Sequence, residues 1–514
     1  MEANDSQAEV LRFLADPSTH GGLEVRRIDT HASSVFLAGD RAFKVKRAVR
    51  FPFLDYSTLE QRRTACAAEL EVNQPFAPEL YRGIVPISRD RDGRLALDRK
   101  GEPVEWAVEM RRFDEDRTLD RVAEQGGIDV ALADTLGRVV AAAHARAPVV
   151  RAQPWIAALA DYLDQNEAAF RENPQLFAAD AVAALKERSR AALARLRPLL
   201  VRRGELGLIR RGHGDLHLGN IALIDGRPVP FDAIEFSELV ASGDVLYDLA
   251  FLLMDLIERG LGGAANIVLN RYLGETRREE DLDALAALPL FLSVRAAIRA
   301  KVTAARLPAA EPQPRPPIAR AAETYFRLAC TLIEPARPML IAIGGLSGTG
   351  KSLLARALAP EIGPQPGALV LRSDLERKAL LGKAETQRLA ADAYAPEVTA
   401  RVYALLAEKA RRAIAAGHST IVDAVFADPS ERAAILAAAT GREFRGLFLV
   451  ADLATRLGRV ATRTRDASDA DAAIARVQES YRLGKMDFLE LDAAGTPAET
   501  LARARAALGR QTSC

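Results

Sequence analysis

Near its start the chain sets short apolar runs against single polar turns. Val35-Phe36-Leu37 and Ala42-Phe43-Lys44-Val45 flank Gly39-Asp40, and two such runs around a Gly-Asp pair predict a tight β-hairpin. Ser57-Thr58-Leu59-Glu60 has a capping-box pattern. It predicts a helix to about Asn73, because Ser57 and Glu60 would satisfy each other's exposed N–H groups. Glu105-Trp106-Ala107-Val108-Glu109-Met110 alternates as another strand, so a small β-rich lobe with one helix is expected over about residues 25–113. From about Leu119 to Val201 the pattern is helical and rich in Ala, Leu and Arg. Ile221–Ile224 and Val229–Phe231 around Asp225-Gly226 predict a second hairpin, and helical patterns resume from Val245 to about Arg306.

Leu307 to Pro317 holds five prolines and no apolar period, which reads as a linker or exposed loop. A helix is expected from about Ile318 to Ile333, and Pro335 and Pro338 then break the chain. Beyond them the pattern changes. Met339–Ile343, Ala368–Leu371, Thr420–Val422 and Leu447–Val450 are short apolar runs with helical segments between them. Such alternation predicts a parallel sheet with helices on both faces. The expected division is a first domain of residues 1–334, with its helical lobe over about 114–334, and a second of 339–514.

The length of 514 residues supports this division, since it exceeds what one core usually holds. Lys and Arg number 70 against 69 Asp and Glu, a net charge of +1. That balance argues against a broad nucleic-acid or anionic-membrane footprint, leaving room for a local basic patch. Cys66, Cys330 and Cys514 are too far apart for a metal motif or a disulfide framework, which fits a reducing compartment. Met1–Asp5 is acidic and polar, unlike a signal peptide. The apolar stretch Val245–Ile257 contains Asp248 and Asp255 and is too short to span a bilayer. A cytoplasmic protein without a membrane partner is expected, and its oligomeric state is open.

Two phosphate-handling motifs carry the chemistry. Gly345-Leu346-Ser347-Gly348-Thr349-Gly350-Lys351-Ser352 is a complete P-loop between an apolar strand and the helical Leu353–Arg356. Its glycines let backbone N–H groups, including those around Ser347 and Thr349, converge on phosphates. Lys351 reaches the β- and γ-phosphates, and Ser352 supplies a hydroxyl for Mg²⁺. The other motif is His213-Gly214-Asp215-Leu216-His217-Leu218-Gly219-Asn220, followed by Phe231-Asp232. This is the spacing of a kinase catalytic loop. Asp215 can accept or orient an acceptor's proton, while Asn220 and Asp232 stand at the two metal positions.

About residues 339–510 resemble the P-loop small-molecule and polynucleotide kinases, a group that includes gluconate kinases, chloramphenicol phosphotransferases and 5′-polynucleotide kinases. The resemblance rests on the P-loop and on Ser373-Asp374-Leu375-Glu376-Arg377 after the second strand. It implies that Asp374 contacts the acceptor hydroxyl as general base and that Arg377 holds substrate. It further implies that Asp423, at the end of the third strand, holds Mg²⁺ or its water, and that Arg459 and Arg463 belong to an arginine-bearing lid.

About residues 25–330 resemble the aminoglycoside phosphotransferase and choline kinase branch of the protein-kinase-like fold. The resemblance is carried by His213-Gly214-Asp215, by Asp232-Ala233-Ile234-Glu235 and by Gly243–Ala250. It implies an ATP-binding lysine on the strand Ala42-Phe43-Lys44, with Lys44 preferred over Lys46, which shares its strand face. Glu69, with Glu71 as competitor, is its implied ion-pair partner, and Met110 is implied to lie near the hinge that meets adenine. No GxGxxG precedes the lysine; Thr30-His31-Ala32-Ser33-Ser34 stands there instead.

Taken whole, the chain resembles bacterial two-domain proteins that join these two kinds of domain. The implied architecture is an α+β protein-kinase-like domain followed by an α/β P-loop NTPase domain. The implied activity is bifunctional: ATP- or GTP-dependent, Mg²⁺-requiring phosphoryl transfer to small hydroxylated molecules, with a separate active site in each domain. Two alternatives remain. One domain can be a nucleotide-sensing regulator, or the P-loop domain can phosphorylate 5′-hydroxyl nucleic acid. The basic stretch Arg295–Lys301 would favour an anionic or neutral acceptor if it faced the first active site.

Overall fold

The computed structural model describes residues 2–51, 54–99, 101–307, 315–461, 468–469 and 471–509. The expected hairpin forms from Ser33–Ala38 and Arg41–Lys46, with Gly39 at the turn in the left-handed region. It lies in a six-stranded antiparallel sheet. The order is Val25–Asp29, Ser33–Ala38, Arg41–Lys46, Glu102–Arg111, Tyr81–Arg89 and Leu95–Leu97. Alternation along Arg41–Lys46 sends Phe43 and Val45 to one face, where they pack with Phe36, Val85, Val10 and Leu14. Val10 and Leu14 belong to a helix, Glu2–Ala15, that the sequence reading did not anticipate. Lys44 and Lys46 face the opposite side, toward the helix Leu59–Asn73.

That helix starts one residue later than the capping pattern suggested. Thr58 is the N-cap: its hydroxyl accepts from the Gln61 N–H, and the Gln61 side chain accepts from the Thr58 N–H at 3.0 Å. Ser57 is drawn off by Asp55, whose carboxylate accepts from both the Ser57 N–H and its hydroxyl. Both frames carry a Ser/Thr-x-x-Glu/Gln pattern, and the nearby acid decides between them.

The second hairpin forms from Ile221–Ile224 and Arg227–Pro230. Just before it, Ile209–Arg211 pairs with Ser242–Asp244, so the stretch 212–241 is pinned at its base. The chain divides into two compact units, one of residues 1–162 and 197–255, the other of 163–196 and 256–514.

In the second unit the helices Leu288–Ala304 and Arg315–Leu332 pack together, and the Ser293 hydroxyl donates to the Ala329 carbonyl at 2.7 Å. In the basic stretch, Arg295 is buried and the Arg299 guanidinium lies over the Tyr325 ring. Of the proline-rich stretch, residues 308–314 lie outside the described residues.

The same unit holds a five-stranded, all-parallel sheet. The order is Leu369–Arg372, Thr420–Asp423, Met339–Gly345, Glu443–Val450 and Leu489–Asp492. Leu489–Asp492 was not foreseen, because Glu490 and Asp492 break its apolar run and only Leu491 is buried. The core sets Ile341, Ile343, Ile421, Leu447 and Leu449 against Leu354 and Leu358 of the helix after the P-loop.

The edge strand Leu369–Arg372 is covered by the helix Gly262–Thr276 through amide side chains. Asn270 accepts from the Val370 N–H at 2.7 Å, and both Asn270 and Asn266 donate to the Ala368 carbonyl, at 3.2 and 3.0 Å. These contacts take the place of a neighbouring strand. Arg271 of the same helix pairs with Glu385 at 2.7 Å.

Asn270→Ala leaves the Val370 N–H without its acceptor, whereas Asn266→Ala leaves Asn270 on Ala368. Hydrogen exchange should therefore accelerate at residues 368–372 in Asn270→Ala more than in Asn266→Ala. The loss for Asn270→Ala should be about 1–3 kcal/mol of local stability.

Candidate active sites

In the first unit, the predicted lysine and its partner meet. Lys44 Nζ lies 2.8 Å from Glu69 Oε1 and 2.6 Å from Asp232 Oδ1. Burial works against the Lys44 charge, but Asp232 and Glu69 outweigh it and hold its pKa well above the ordinary lysine value. For Asp232, too, burial opposes ionisation, and Lys44 and then Lys46 bring its pKa below the ordinary value.

Lys46 is not a bystander. It is 2% exposed, sits 2.5 Å from Glu69 Oε2 and pairs with Glu235, which also accepts from the Tyr56 hydroxyl at 2.8 Å. Glu69 is thus shared by both lysines, while Glu71 is exposed on the far side of the helix. The sequence posed Lys44 and Lys46 as alternatives, whereas in the fold they form one network.

Asp232 follows the second hairpin with φ +61°, a conformation that tertiary contacts must hold. Its N–H donates to the Tyr81 hydroxyl at 3.1 Å, and the next N–H, of Ala233, donates to Asn73 Oδ1 at 2.8 Å. The Phe231 N–H donates to the Asn220 carbonyl at 2.9 Å, which sets Asn220 beside Asp232. The Asn220 amide donates to the Asp215 carboxylate and to its backbone carbonyl, both at 3.0 Å. His217 Nε2 lies 3.4 Å from Asp215 Oδ2. Met110, next to last in the strand Glu102–Arg111, pairs opposite Ala42 and packs in the cluster that contains Phe113 and Phe231.

The loop itself is held from behind. Asp248 accepts from the His213 and Gly214 N–H groups, both at 2.9 Å, and meets His144 Nε2 at 3.1 Å. Asp255 accepts from the Leu218 N–H at 2.9 Å. These acids were visible as the two carboxylates of the apolar stretch Val245–Ile257, a pattern that demands buried partners. The fold also explains Gly214. Its φ is +81°, and a Cβ there would lie 2.9 Å from the Ala241 Cα.

In the second unit, Lys351, Ser352, Asp374, Arg377 and Asp423 line one cavity of about 540 Å³. The P-loop glycines have left-handed φ: Gly345 +139°, Gly348 +90° and Gly350 +94°. At Gly348 a Cβ would meet the Arg456 carbonyl oxygen at 2.6 Å. Thr349 closes the loop by donating from its hydroxyl to the Leu346 carbonyl at 2.8 Å, and Lys351 Nζ donates to the same carbonyl at 3.3 Å. The Ser347 N–H donates to Gln478 Oε1 at 2.6 Å, a contact across 131 residues that no local motif announces.

Ser352 Oγ donates to Asp423 Oδ2 at 2.5 Å. Burial, and after it the Asp423 carboxylate, raise the pKa of Asp374 above the ordinary aspartate value. Arg377 donates to the Ala393 carbonyl at 2.8 Å and to the Thr399 hydroxyl at 3.1 Å, and stacks over Tyr394. Arg459 reaches the carbonyls of Thr349, Ala494 and Gly495, at the base of the phosphate loop. Arg463 lies outside the described residues.

Both sites offer hard oxygen donors suited to Mg²⁺: Asn220 and Asp232 in one, Ser352 and Asp423 in the other. Among the described residues there is no cluster of three or more His, Cys, Asp or Glu side chains arranged for a metal. Two protein donors per site match an ion whose remaining ligands are phosphate oxygens and waters.

Gly214→Ala places a Cβ against Ala241 in a conformation that L-residues resist. It should lower stability in urea unfolding by more than about 2 kcal/mol, whereas the same change at the open Gly263 should stay within about 1 kcal/mol.

Residues 24–288 match the model of the phosphotransferase enzyme family, and residues 340–483 match that of an AAA domain. Uncharacterised proteins of Mycobacterium tuberculosis and Mycobacterium bovis are 32% identical over 458 residues, covering 87% of this chain and 88% of theirs. Among solved structures, a choline/ethanolamine kinase family protein from Mesorhizobium loti aligns at 16% identity, over 64% of this chain and 95% of its own, with a TM-score of 0.40. A gluconokinase from Sinorhizobium meliloti aligns at 23% identity, over 34% of this chain and 93% of its own, with a TM-score of 0.25. No described helix is long and apolar enough to cross a membrane. On the two family matches and the near full-length relatives, the chain belongs to the phosphotransferase enzyme family, with a kinase-like phosphotransferase domain and an AAA-type P-loop domain in one polypeptide.

Proposed function

We propose that the protein is a bifunctional, nucleoside-triphosphate-dependent phosphotransferase that phosphorylates small hydroxylated molecules at two separate sites. The observation that carries this reading is the double convergence of a lysine, a pair of hard oxygen donors and a further aspartate. In one unit these are Lys44, Asn220 with Asp232, and Asp215; in the other, Lys351, Ser352 with Asp423, and Asp374. Phosphoryl transfer asks little covalent chemistry of a protein. It needs neutralised phosphates, a positioned hydroxyl and a place for its proton.

In the first site, Lys44 leaves the Asp232 carboxylate to pair with nucleotide phosphates and keeps its contact with Glu69. Asn220 holds the Asp215 carboxylate in place, and Asp215 accepts a hydrogen bond from the acceptor hydroxyl and takes its proton. In the second site, the phosphate-loop N–H groups and Lys351 hold the phosphates. Asp374, more basic than an ordinary aspartate, orients the acceptor hydroxyl and receives its proton. Arg377 shapes the acceptor side of the cavity beside Tyr394. Mg²⁺, held by Asn220 and Asp232 or by Ser352 and Asp423, would neutralise charge on the phosphates when bound.

ADP release should be measured with sugars, amino alcohols, nucleosides, aminoglycosides and 5′-hydroxyl oligonucleotides as acceptors, in the wild type and in Asp215→Ala and Lys351→Ala. Each substitution should abolish one acceptor-stimulated turnover by at least about 100-fold and leave the other intact. Loss of all turnover in one variant, with none in the other, would instead make the second domain a nucleotide-binding regulator. Turnover stimulated by oligonucleotides alone would move the P-loop site to nucleic acid.

A further inference from the structure

Lys351 belongs to the phosphate-loop motif, but a second cation reaches the same place from elsewhere in the chain. Arg372 is the last residue of the edge strand Leu369–Arg372 and is 3% exposed. In the parallel register it stands beside Asp423, so both side chains leave the sheet on one side at its C-terminal end. Arg372 Nη2 donates to Ser352 Oγ at 3.1 Å, and Nε lies 3.4 Å from Asp423 Oδ2. Ser352 Oγ donates to that same carboxylate oxygen. Guanidinium, hydroxyl and carboxylate therefore close a triangle on the two oxygens best suited to a divalent cation.

Burial of this group has a physical cost that packing alone does not explain. A guanidinium taken out of water must recover its hydration energy from partners, and an aliphatic side chain would fill the same strand end without that cost. What the aliphatic residue would lack is positive charge beside Ser352 and Asp423. The charge of Arg372 also acts on Asp374, favouring its ionised form against the effects of burial and of Asp423. Arg459 reaches backbone carbonyls at the base of the loop.

We propose that Arg372 is a positioning residue of the P-loop site, a resident cation that holds Ser352 and Asp423 together before metal arrives and supplies the metal-independent share of phosphate binding. The inference rests on the reading of this site as a nucleotide site. It accounts for an arginine at a strand end that no motif requires. Two cations compete for the same two oxygens, and the fixed one keeps the site assembled while the exchangeable one is absent.

The test is equilibrium binding of ADP to the full chain carrying Lys44→Met, which confines binding to the P-loop site, in excess Mg²⁺ and in EDTA. Adding Arg372→Met should weaken binding in EDTA about tenfold and change it by less than about threefold in Mg²⁺. Arg372→Lys, which keeps the charge, should restore most of the EDTA affinity. Equal weakening in both conditions would make Arg372 a purely structural residue and overturn the proposal, as would no change in either. If Arg372→Met does not fold, Arg372→Gln carries the same expectation. A parent protein that binds no ADP even with Mg²⁺ would sink the reading of the site itself. That outcome is distinct from a parent that binds and an Arg372→Met variant that behaves identically.

Discussion

The Glu69 carboxylate sits in the small lobe where it cannot stay charged alone, and most of the first site follows from how it is neutralised. A lone buried carboxylate is costly, and one lysine would satisfy only one of its oxygens. Two lysines, two residues apart on one strand face, take one oxygen each. The strand period makes that possible, and the opposite face of the same strand carries Phe43 and Val45 into the core. Each lysine then has charge left for a second acid: Lys44 for Asp232 and Lys46 for Glu235. Because Asp232 and Glu235 lie on one segment, sheet, helix and metal-position loop are tied together by a single chain of alternating charges.

The P-loop site solves a similar problem with a different element. Asp423 and Asp374 are two carboxylates at neighbouring strand ends, and Arg372 lies between their demands. In both sites the fold keeps a cation next to an acid that we propose as a metal ligand. Such an arrangement holds the acid in place and discourages collapse of the cavity around it.

Much of this was legible in the sequence because it is local. The hairpin at Gly39, the helix that presents Glu69, the P-loop, and the spacing of Asp215, Asn220 and Asp232 depend on residues close together in the chain. The illegible parts are contacts across long separations. Gln478 on the Ser347 N–H, Asn270 on Val370 and Arg372 on Ser352 join residues whose types are ordinary and whose partners are set only by topology. Short charged elements hid for a different reason. Leu489–Asp492 is an edge strand with one buried residue, so its pattern carries too little apolar signal. The capping frame at Ser57 failed where two overlapping motifs competed and Asp55 chose between them.

The asparagines that cover the edge strand Leu369–Arg372 come from a helix, Gly262–Thr276, within the stretch that matches the phosphotransferase family. A gene cut in the proline-containing stretch before Met339 would therefore release a parallel sheet with one side stripped of its hydrogen-bonding cover. Such a sheet tends to recruit strands from other chains. The P-loop domain is consequently not a free-standing cassette: the hydrogen-bonding cover of its edge strand is written into the stretch that matches the phosphotransferase family, so a boundary drawn between the two motifs does not coincide with a boundary in the sheet's own support.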